Sequence, residues 1–479
     1  MNAASWYAFF PFILLAAAPV VVMLAIAVKR DQRTCLALSV GMLTLALYCA
    51  GRLGGMDPQQ YTPLMVVDNF SLFYTGLAIL AGLCVIMLGA PYISRREGQP
   101  EEYYVLILTA VAGASVMSGS THFASFYLGL EILTVSQYGL IGYIRKDKRG
   151  TEAAVKYLIL AAASAAFLLM GMALLYAELG TMQFSEMAAL IPDHLGNRVL
   201  LLGLAMFAVG LGFKLSLAPF HLWTPDVYEG APAPVTAFIA TAGKTAMLAV
   251  LVRLAVVEEV FVAESLMNFL AIAAAASMII GNLLAIVQTN LKRMLAYSSV
   301  AHMGYIATAF IALGPAASEA IAFYAVTYTA AGLAAWGVLI VLSARAEATQ
   351  DVEQLEDYRG LFRVQPTLGA VLALSMLSLA GIPFTGGFIG KLLILAAAAG
   401  SHNSRALLMF VLAITSVIGA YYYLRVVVLI LSPAAGRTER VRISQLAAAA
   451  LITLSGLSIL PGIAPNFFLY LIQRLYGNG

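Results

Sequence analysis

The sequence is poor in charge and in cysteine. Only 11% of its 479 residues are Asp, Glu, Lys or Arg, and 62% are hydrophobic. The mean hydropathy is +0.90, and an average soluble domain carries about 25% charged residues. The three cysteines, Cys35, Cys49 and Cys84, form no CxxC pair, so a disulfide framework, a zinc site and an iron–sulfur cluster are poorly supported. The composition predicts a polytopic membrane protein.

Long polar stretches are also missing. The longest connections between apolar runs, 54–69 and 344–365, have about twenty residues or fewer, which is too short for a core of their own. The sequence therefore leaves no room for a nucleotide, flavin or iron–sulfur domain. We expect no cofactor and no metal site in this chain.

Apolar runs account for most of the chain. A membrane-spanning helix needs about 20 apolar residues, and on that measure the sequence predicts an all-α protein with fourteen spans. They are 7–28, 35–52, 70–93, 103–117, 123–144, 151–178, 198–219, 234–257, 265–289, 294–313, 318–343, 366–399, 405–431 and 444–476. The twelfth is too long for one plain span and holds Gly381, Pro383, Gly386 and Gly387 in its middle, so we predict a broken helix.

The basic residues alternate between the two sides of this arrangement. The odd-numbered connections hold seventeen of the 27 Lys and Arg residues, the even-numbered connections hold five, and five lie within spans. Cytoplasmic connections are the ones enriched in Lys and Arg. We therefore expect the odd connections to be cytoplasmic and both termini to lie outside the cytoplasm.

A few ionisable residues fall inside the spans, where each charge costs about 2.5–3.5 kcal/mol on insertion scales. They are Glu131 in the fifth span, Lys156 in the sixth, Lys214 in the seventh, Lys244 in the eighth and Lys391 in the twelfth. Such residues commonly form proton relays. Glu131 is the only carboxylate deep in a span, so we predict that it pairs with Lys214.

Other polar residues in the spans have two explanations each. Lys156 lies four residues after Glu152, so a local ion pair explains it as well as a relay role does. His221 and His302 are each open between a relay role and a buried hydrogen-bonding role. Pro219 and Pro383 could be plain kinks, but broken helices at membrane depth are tolerated only where they face protein or a cavity.

The two predicted breaks share a short pattern. SLAPF ends the seventh span and SLAGIPF lies in the twelfth, each with a lysine nearby. The two copies are five spans apart, and an odd offset places them in opposite orientations. This is the pattern of an inverted repeat, in which ion sites lie near the midplane of the membrane.

Four longer stretches resemble the antiporter-like membrane subunits of bacterial respiratory complex I, the proton-pumping NADH–quinone oxidoreductase. They are LGLEILTVSQYGLIGY, GFKLSLAPFHLWTPDVYEGAPAPV, TNLKRMLAYSSVAHMGY and LSLAGIPFTGGFIGK. The resemblance implies two inverted five-helix repeats with helices 7 and 12 broken. The implied segments are 1–100 (three helices), 101–258 (first repeat), 259–432 (second repeat) and 433–479 (helix 14).

The resemblance also implies a proton path through Glu131, Lys214, Lys244 and Lys391, with Lys156 and His221 at matching family positions. The reaction would be electron transfer from NADH to a quinone such as ubiquinone. NADH, FMN, iron–sulfur clusters and quinone would be bound by partner subunits. The implied partners are a neighbouring antiporter-like subunit, small membrane subunits and the lipid bilayer, and no nucleic acid.

Two other functions remain open from the sequence. One is a subunit of a multisubunit cation/proton antiporter or of a membrane-bound hydrogenase, because these complexes share the repeat. The other is a structural spacer that anchors its neighbours and moves no ions. Under the spacer interpretation, substitution of Lys214 or Glu131 would leave pumping intact.

Overall fold

The computed structural model describes residues 3–96, 99–254, 264–344, 350–400, 405–433 and 443–476. Nearly all of the described chain is helical. The helices are α1 (Ala3–Val28), α2 (Gln32–Leu53), α3 (Asn69–Arg96), α4 (Glu101–Gly119), α5 (Phe123–Ile141), α6 (Lys148–Leu179), α7 (Phe184–His194), α8 (Arg198–Leu215), α9 (Trp223–Gly230), α10 (Ala233–Phe238), α11 (Lys244–Val252), α12 (Glu264–Ile286), α13 (Leu291–Ala312), α14 (Pro315–Ser343), α15 (Leu361–Val364), α16 (Pro366–Ala380), α17 (Gly386–Gly400), α18 (Ala406–Leu431), α19 (Gln445–Ile463) and α20 (Pro465–Tyr476).

The predicted all-α, multi-pass fold is confirmed. Among the described residues, 12 helices are long and apolar enough to cross a membrane, with α10 and α11 counted as one span. The 19-residue α5, which carries Glu131, and the broken pair α16–α17 complete the fourteen predicted spans. The predicted boundary between residues 258 and 259 lies outside the described residues, and the division into four segments stays a prediction.

Several elements differ from the sequence prediction. The span predicted at 444–476 is two helices, α19 and α20, because Pro465 starts a new helix where Ala464 leaves the helical conformation. A π-helical turn, Ile239–Gly243, interrupts the eighth span directly before Lys244. The connection 54–69 contains an antiparallel hairpin, β1 (Gln59–Thr62) and β2 (Met65–Val67).

The seventh span ends earlier than predicted. Helix α8 stops at Leu215, because Ser216 adopts a left-handed conformation (φ 62°) and the Leu217 amide donates to the Gly212 carbonyl. This 6→1 hydrogen bond is the Schellman motif that closes many helices. Pro219 lies in the unwound stretch that follows, and the short helix α9 comes after it.

The twelfth span breaks in the same way. Helix α16 ends at Ala380, Gly381 is left-handed (φ 78°), and the Ile382 amide donates to the Leu377 carbonyl. The structurally equivalent residues are therefore Ser216 and Gly381, each followed by a proline within three residues. The SLA letters of the two stretches do not correspond in this register, so the shared feature is the helix end and its proline.

The two halves of the chain also pack alike. A Cβ on Gly113 of α4 would lie 2.7 Å from the Leu133 amide nitrogen of α5. A Cβ on Gly281 of α12 would lie 2.6 Å from the Ala301 amide nitrogen of α13. Glycine allows this backbone-to-backbone approach of membrane helices. Glycines therefore allow close packing both between α4 and α5, the fourth and fifth spans, and between α12 and α13, the ninth and tenth spans.

Gly387→Ala tests the close packing after the second break. A Cβ on Gly387 would lie 1.9 Å from the Ser378 carbonyl oxygen, so the backbone would have to move. We expect a loss of about 1–3 kcal/mol in the free energy of unfolding. Thermal unfolding of the purified protein in detergent measures this loss.

Gly400→Ala is the control, because a Cβ at Gly400 meets nothing within 4 Å and alanine is the better helix former. If both variants unfolded at the same temperature, the proposed packing at Gly387 would be wrong.

Candidate functional site

Lys214 lies near the end of α8, beside the first break. Its Nζ donates a 2.8 Å hydrogen bond to the Thr134 hydroxyl of α5 and lies 5.7 Å from the centre of the Tyr157 ring of α6. Thr134 is three residues after Glu131, so both side chains lie on one side of α5. The predicted direct pair is not formed in this structure, where Lys214 and Glu131 make no ion pair.

A small cavity of about 20 Å³ adjoins Lys214, with room for one water molecule. Thr134, Gln137 and Tyr157 line it together with Gly243, the last residue of the π-helical turn. The Tyr157 hydroxyl donates to the Gln137 side chain at 2.8 Å. The cavity therefore separates Lys214 from the turn that leads into Lys244.

Lys244 is almost fully buried, with 1% of its surface exposed. Its Nζ donates to the Ser299 hydroxyl of α13 at 2.7 Å, and Ser299 is 2.6 Å from the Tyr328 hydroxyl of α14. Tyr328 in turn donates to the Ala240 carbonyl of the π-helical turn at 3.2 Å. Three hydroxyl and carbonyl groups thus form a hydrogen-bonded chain that starts at Lys244.

His302 lies one turn after Ser299 on the same helix. Its Nδ1 shares a hydrogen bond with the Tyr324 hydroxyl (2.6 Å), and its Nε2 shares one with the Tyr423 hydroxyl of α18 (2.9 Å). Its ring also packs edge-on against Tyr305, with the ring centres 5.6 Å apart. His302 is thus a buried hydrogen-bonding group, which is one of the two roles that the sequence left open. The relay role stays a prediction and would use the same two hydrogen bonds.

Lys391 follows the second break on α17. Its Nζ donates to the Ala380 carbonyl at 2.9 Å and reaches the Leu379 carbonyl at 3.4 Å. These carbonyls close α16, where the helix dipole favours a cation. The ammonium also lies 4.9 Å from the centre of the Tyr305 ring, so Lys391 and His302 both contact this tyrosine.

The remaining predicted residues are arranged differently. One carboxylate oxygen of Glu131 and the Nδ1 of His221 are buried without a hydrogen-bond partner. Lys156 is 45% exposed and forms ion pairs with Glu152 (2.8 Å) and Asp226 of α9 (3.1 Å). Lys156 therefore forms the local ion pair with Glu152 and does not belong to the set of buried lysines.

Comparisons with known proteins identify the family of this chain. Residues 120–457 match the family described as NADH:quinone oxidoreductase/Mrp antiporter, TM. The sequence is 33% identical to a chain of respiratory complex I from Thermus thermophilus, with 96% of this chain and 98% of that chain covered and a TM-score of 0.81. The chain belongs to this family of membrane subunits.

Other members of the fold come from different assemblies. A chain of the membrane-bound sulfane sulfur reductase, an archaeal respiratory membrane complex, is 25% identical over 98% of this chain and 96% of that one, with a TM-score of 0.81. A chain of the Mrp complex from Dietzia sp. DQ12-45-1b has a TM-score of 0.85 at 21% identity, over 100% of this chain and 98% of that one. This antiporter-like subunit thus has a fold that several multisubunit membrane complexes use.

Sequence reasoning missed the groups that contact the lysines. Thr134, Gln137 and Ser299 are ordinary residues in helices, and only their place within the long family-like stretches singles them out. Tyr328 lies outside those stretches. Among the described residues, no group of three or more His, Cys, Asp and Glu side chains is arranged to hold a metal ion.

The sequence analysis also missed a second charged cluster, at the end of the bundle where α14 leads into α15. Asp351 is bonded to Lys292, Arg96 and Tyr92. Burial alone would raise the pKa of Asp351, but Lys292 and Arg96 beside it lower the pKa below its usual value. Its contribution to stability is therefore present above its unfolded pKa of about 3.9 and is lost as the pH falls through the lowered folded pKa.

Ser299→Ala should lower stability, whereas Lys244→Met should not. Lys244 contacts no carboxylate within the described part of the chain, so replacing it with methionine removes a buried cation at similar volume. We expect unchanged or increased thermal stability, because an unpaired buried charge is costly. Ser299→Ala takes an acceptor from that cation and should cost about 1–3 kcal/mol.

Thermal unfolding of both variants in detergent, with wild type alongside, measures this difference. A Lys244→Met protein that is less stable than Ser299→Ala would show that the lysine holds the fold together.

Proposed function

We propose that this antiporter-like subunit translocates protons within the membrane arm of an NADH–quinone oxidoreductase in a bacterial inner membrane. The observation that carries the proposal is the set of lysines Lys214, Lys244 and Lys391. Each is bonded to hydroxyl or carbonyl oxygens, and none of them forms an ion pair within the described residues.

A lysine held in this way can exist with or without its extra proton. Burial disfavours the ammonium, and a nearby carboxylate favours it. In the proposed mechanism Glu131 and Lys214 form the switch, because Glu131 keeps one buried oxygen free and lies one turn from the Thr134 that Lys214 contacts. A charged Glu131 side chain that turned towards Lys214 would favour its protonation, and withdrawal would release the proton.

The proton would then pass from Lys214 to Lys244 across the water-sized cavity beside Gln137. Beyond Lys244, the proposed path continues through Ser299 and His302 to Lys391, which connects to one side of the membrane. His221, at the first break, and Lys156, in its ion pair with Asp226, are proposed as additional members. The path crosses both predicted repeats, 101–258 and 259–432.

The redox chemistry is proposed to occur in other subunits. NADH, FMN, iron–sulfur clusters and quinone would be bound there, and quinone reduction would reach this chain as an electrostatic change through its neighbours. Within the complex I family, Lys391 at the twelfth-helix position resembles subunit N. The proposed orientation places the Lys- and Arg-rich connections in the cytoplasm and both termini in the periplasm.

A second candidate function is a module of a cation/proton antiporter or of another respiratory membrane complex. The similarity to chains of the Mrp complex and of the sulfane sulfur reductase favours it. The proposed lysine path would be the same, but the partners and the driving reaction would differ.

Co-purification separates these candidates. The chain is tagged in its own organism, membranes are solubilised in mild detergent, and the particle is analysed by mass spectrometry and absorbance. We expect flavin- and iron–sulfur-bearing NADH dehydrogenase subunits in the same particle. Recovery with only antiporter-type subunits, or with a different reductase or a hydrogenase, would overturn the assigned reaction.

Glu131→Ala, Lys214→Ala and the double variant test the switch. We expect each single variant to lose most NADH-driven proton uptake by inverted vesicles, about tenfold or more. The double variant should lose little beyond either single one, because residues that act as a unit have non-additive effects. Fluorescence quenching of a pH dye and the NADH oxidation rate measure pumping and electron transfer in the same vesicles.

Lys146→Ala is the control, since Lys146 is an exposed lysine between α5 and α6, and it should pump as wild type does. Independent, additive losses would rule out the Glu131–Lys214 switch. Normal pumping in all three variants of the pair would favour the spacer function.

A further inference from the structure

The cluster around Asp351 joins three parts of the fold: the segment that holds Asp351, α3 and α13. The Asp351 carboxylate accepts hydrogen bonds from the Tyr92 hydroxyl (2.7 Å), Arg96 Nη1 (2.8 Å) and Lys292 Nζ (2.9 Å). The side chains of Asp351 and Lys292 are 5% and 2% exposed. Tyr92 and Arg96 belong to the end of α3, and Lys292 belongs to the first turn of α13.

Lys292 makes one more contact, and it reaches the first repeat. Its Nζ donates to the Ala231 carbonyl at 2.7 Å. Ala231 closes α9, the second half of the broken seventh span, and Pro232 and α10 follow it directly. A single ammonium therefore ties Asp351 to the joint at which the broken span turns into the span that carries Lys244.

The segment around Asp351 is itself fixed to its neighbours. The Leu291 amide donates to the Glu353 carbonyl at 2.6 Å, and the Leu355 amide donates to the Thr289 carbonyl at 2.8 Å. Arg96 Nη2 donates to the Ser343 carbonyl, which lies at the end of α14, at 3.0 Å. Residues 351–355 are thus hydrogen-bonded to the residues around the start of α13.

A buried ion pair of this kind is a poor source of stability, because well-packed apolar residues of similar volume are often equally stabilising. Its fixed geometry is the better explanation for its presence. Lys292 is seven residues, about 10 Å along the helix, before Ser299 on α13. The bond between Lys244 and Ser299 depends on how α13 lies against α10 and α11, and the Lys292–Ala231 contact fixes that arrangement at one end.

The other end of the same span is held in a similar way. Arg253 follows the last residue of α11 and forms two 3.0 Å hydrogen bonds to the Asp68 carboxylate, just before α3. The Arg253 side chain is 4% exposed. The span with the π-helical turn and Lys244 therefore has a buried ion-paired contact at each end.

We propose that Asp351 is a positioning residue for the proton path. Through Lys292 it holds the joint between α9 and α10 against α13, and so keeps Lys244 within hydrogen-bonding distance of Ser299. The clamp consists of Asp351, Lys292, Arg96 and Tyr92. Its effect on pumping rests on the function proposed above, but its effect on the joint does not.

Hydrogen exchange of the intact complex tests the joint directly. In Asp351→Asn, the amides of α10 and the π-helical turn should exchange about tenfold faster or more, because Lys292 loses its charged partner. Glu356→Gln is the matched control, since it removes the exposed Glu356–Arg359 pair five residues further on. Its exchange in these amides should equal that of wild type.

A second pair of variants covers the case in which Asp351→Asn fails to assemble. Lys292→Arg keeps a cation that can donate to both Asp351 and Ala231, whereas Lys292→Met removes both hydrogen bonds. Faster exchange in Lys292→Met together with rescue in Lys292→Arg supports the clamp. Wild-type exchange in Lys292→Met or in an assembled Asp351→Asn overturns it.

Pumping then tests whether the clamp acts on the relay. In inverted vesicles, Asp351→Asn should move about half as many protons per electron as wild type or fewer, while Glu356→Gln stays normal. Faster exchange with an unchanged ratio would overturn the positioning role. Lys244→Ala is measured in the same experiment. Normal pumping in that variant would refute the proton path, but it would not affect the hydrogen-exchange result for the clamp.

Discussion

The absence of water from the bilayer interior is the constraint on which the rest of this structure depends. Backbone polar groups there must find their partners within the protein, and an unpaired polar side chain is costly. The lysines of the candidate path meet this requirement with hydroxyl and carbonyl oxygens, Lys244 on Ser299 and Lys391 on Ala380. These oxygens accept hydrogen bonds without carrying a full negative charge, which is what the proposed release of a proton from each lysine requires.

A broken helix leaves backbone carbonyl oxygens unpaired at membrane depth. Both breaks close a helix with the same 6→1 hydrogen bond, after a left-handed Ser216 in one and a left-handed Gly381 in the other. Lys214 precedes its break and contacts a hydroxyl of a neighbouring helix. Lys391 follows its break and turns back to the Leu379 and Ala380 carbonyls that the break exposes. The second break thus supplies the oxygens for its own lysine, whereas Lys214 takes its oxygen from a neighbouring helix.

The sequence predicted the spans and the charged residues within them, because hydropathy and charge are local properties. It did not predict their partners. Glu131 and Lys214 were expected to pair, but the Lys214 ammonium contacts Thr134 instead. No local sequence pattern distinguishes Thr134 from other threonines in helices. Lys156 looked membrane-embedded by counting, whereas its contact with Asp226 depends on how α9 folds back after the first break. The role of Asp351 depends on residues that lie 59 positions or more away in the sequence.

The distribution of carboxylates separates two kinds of buried cation in this chain. Lys292 and Arg253 each face an aspartate, and removal of that partner would leave a charge stranded in a site that cannot neutralise it cheaply. Lys244 and Lys391 face no carboxylate among the described residues, so losing a proton relieves the cost of burial. The ends of the span that carries Lys244 are therefore held by ion-paired cations, whereas Lys244 itself has no carboxylate partner among the described residues. This is the division of roles that the proposed proton path requires.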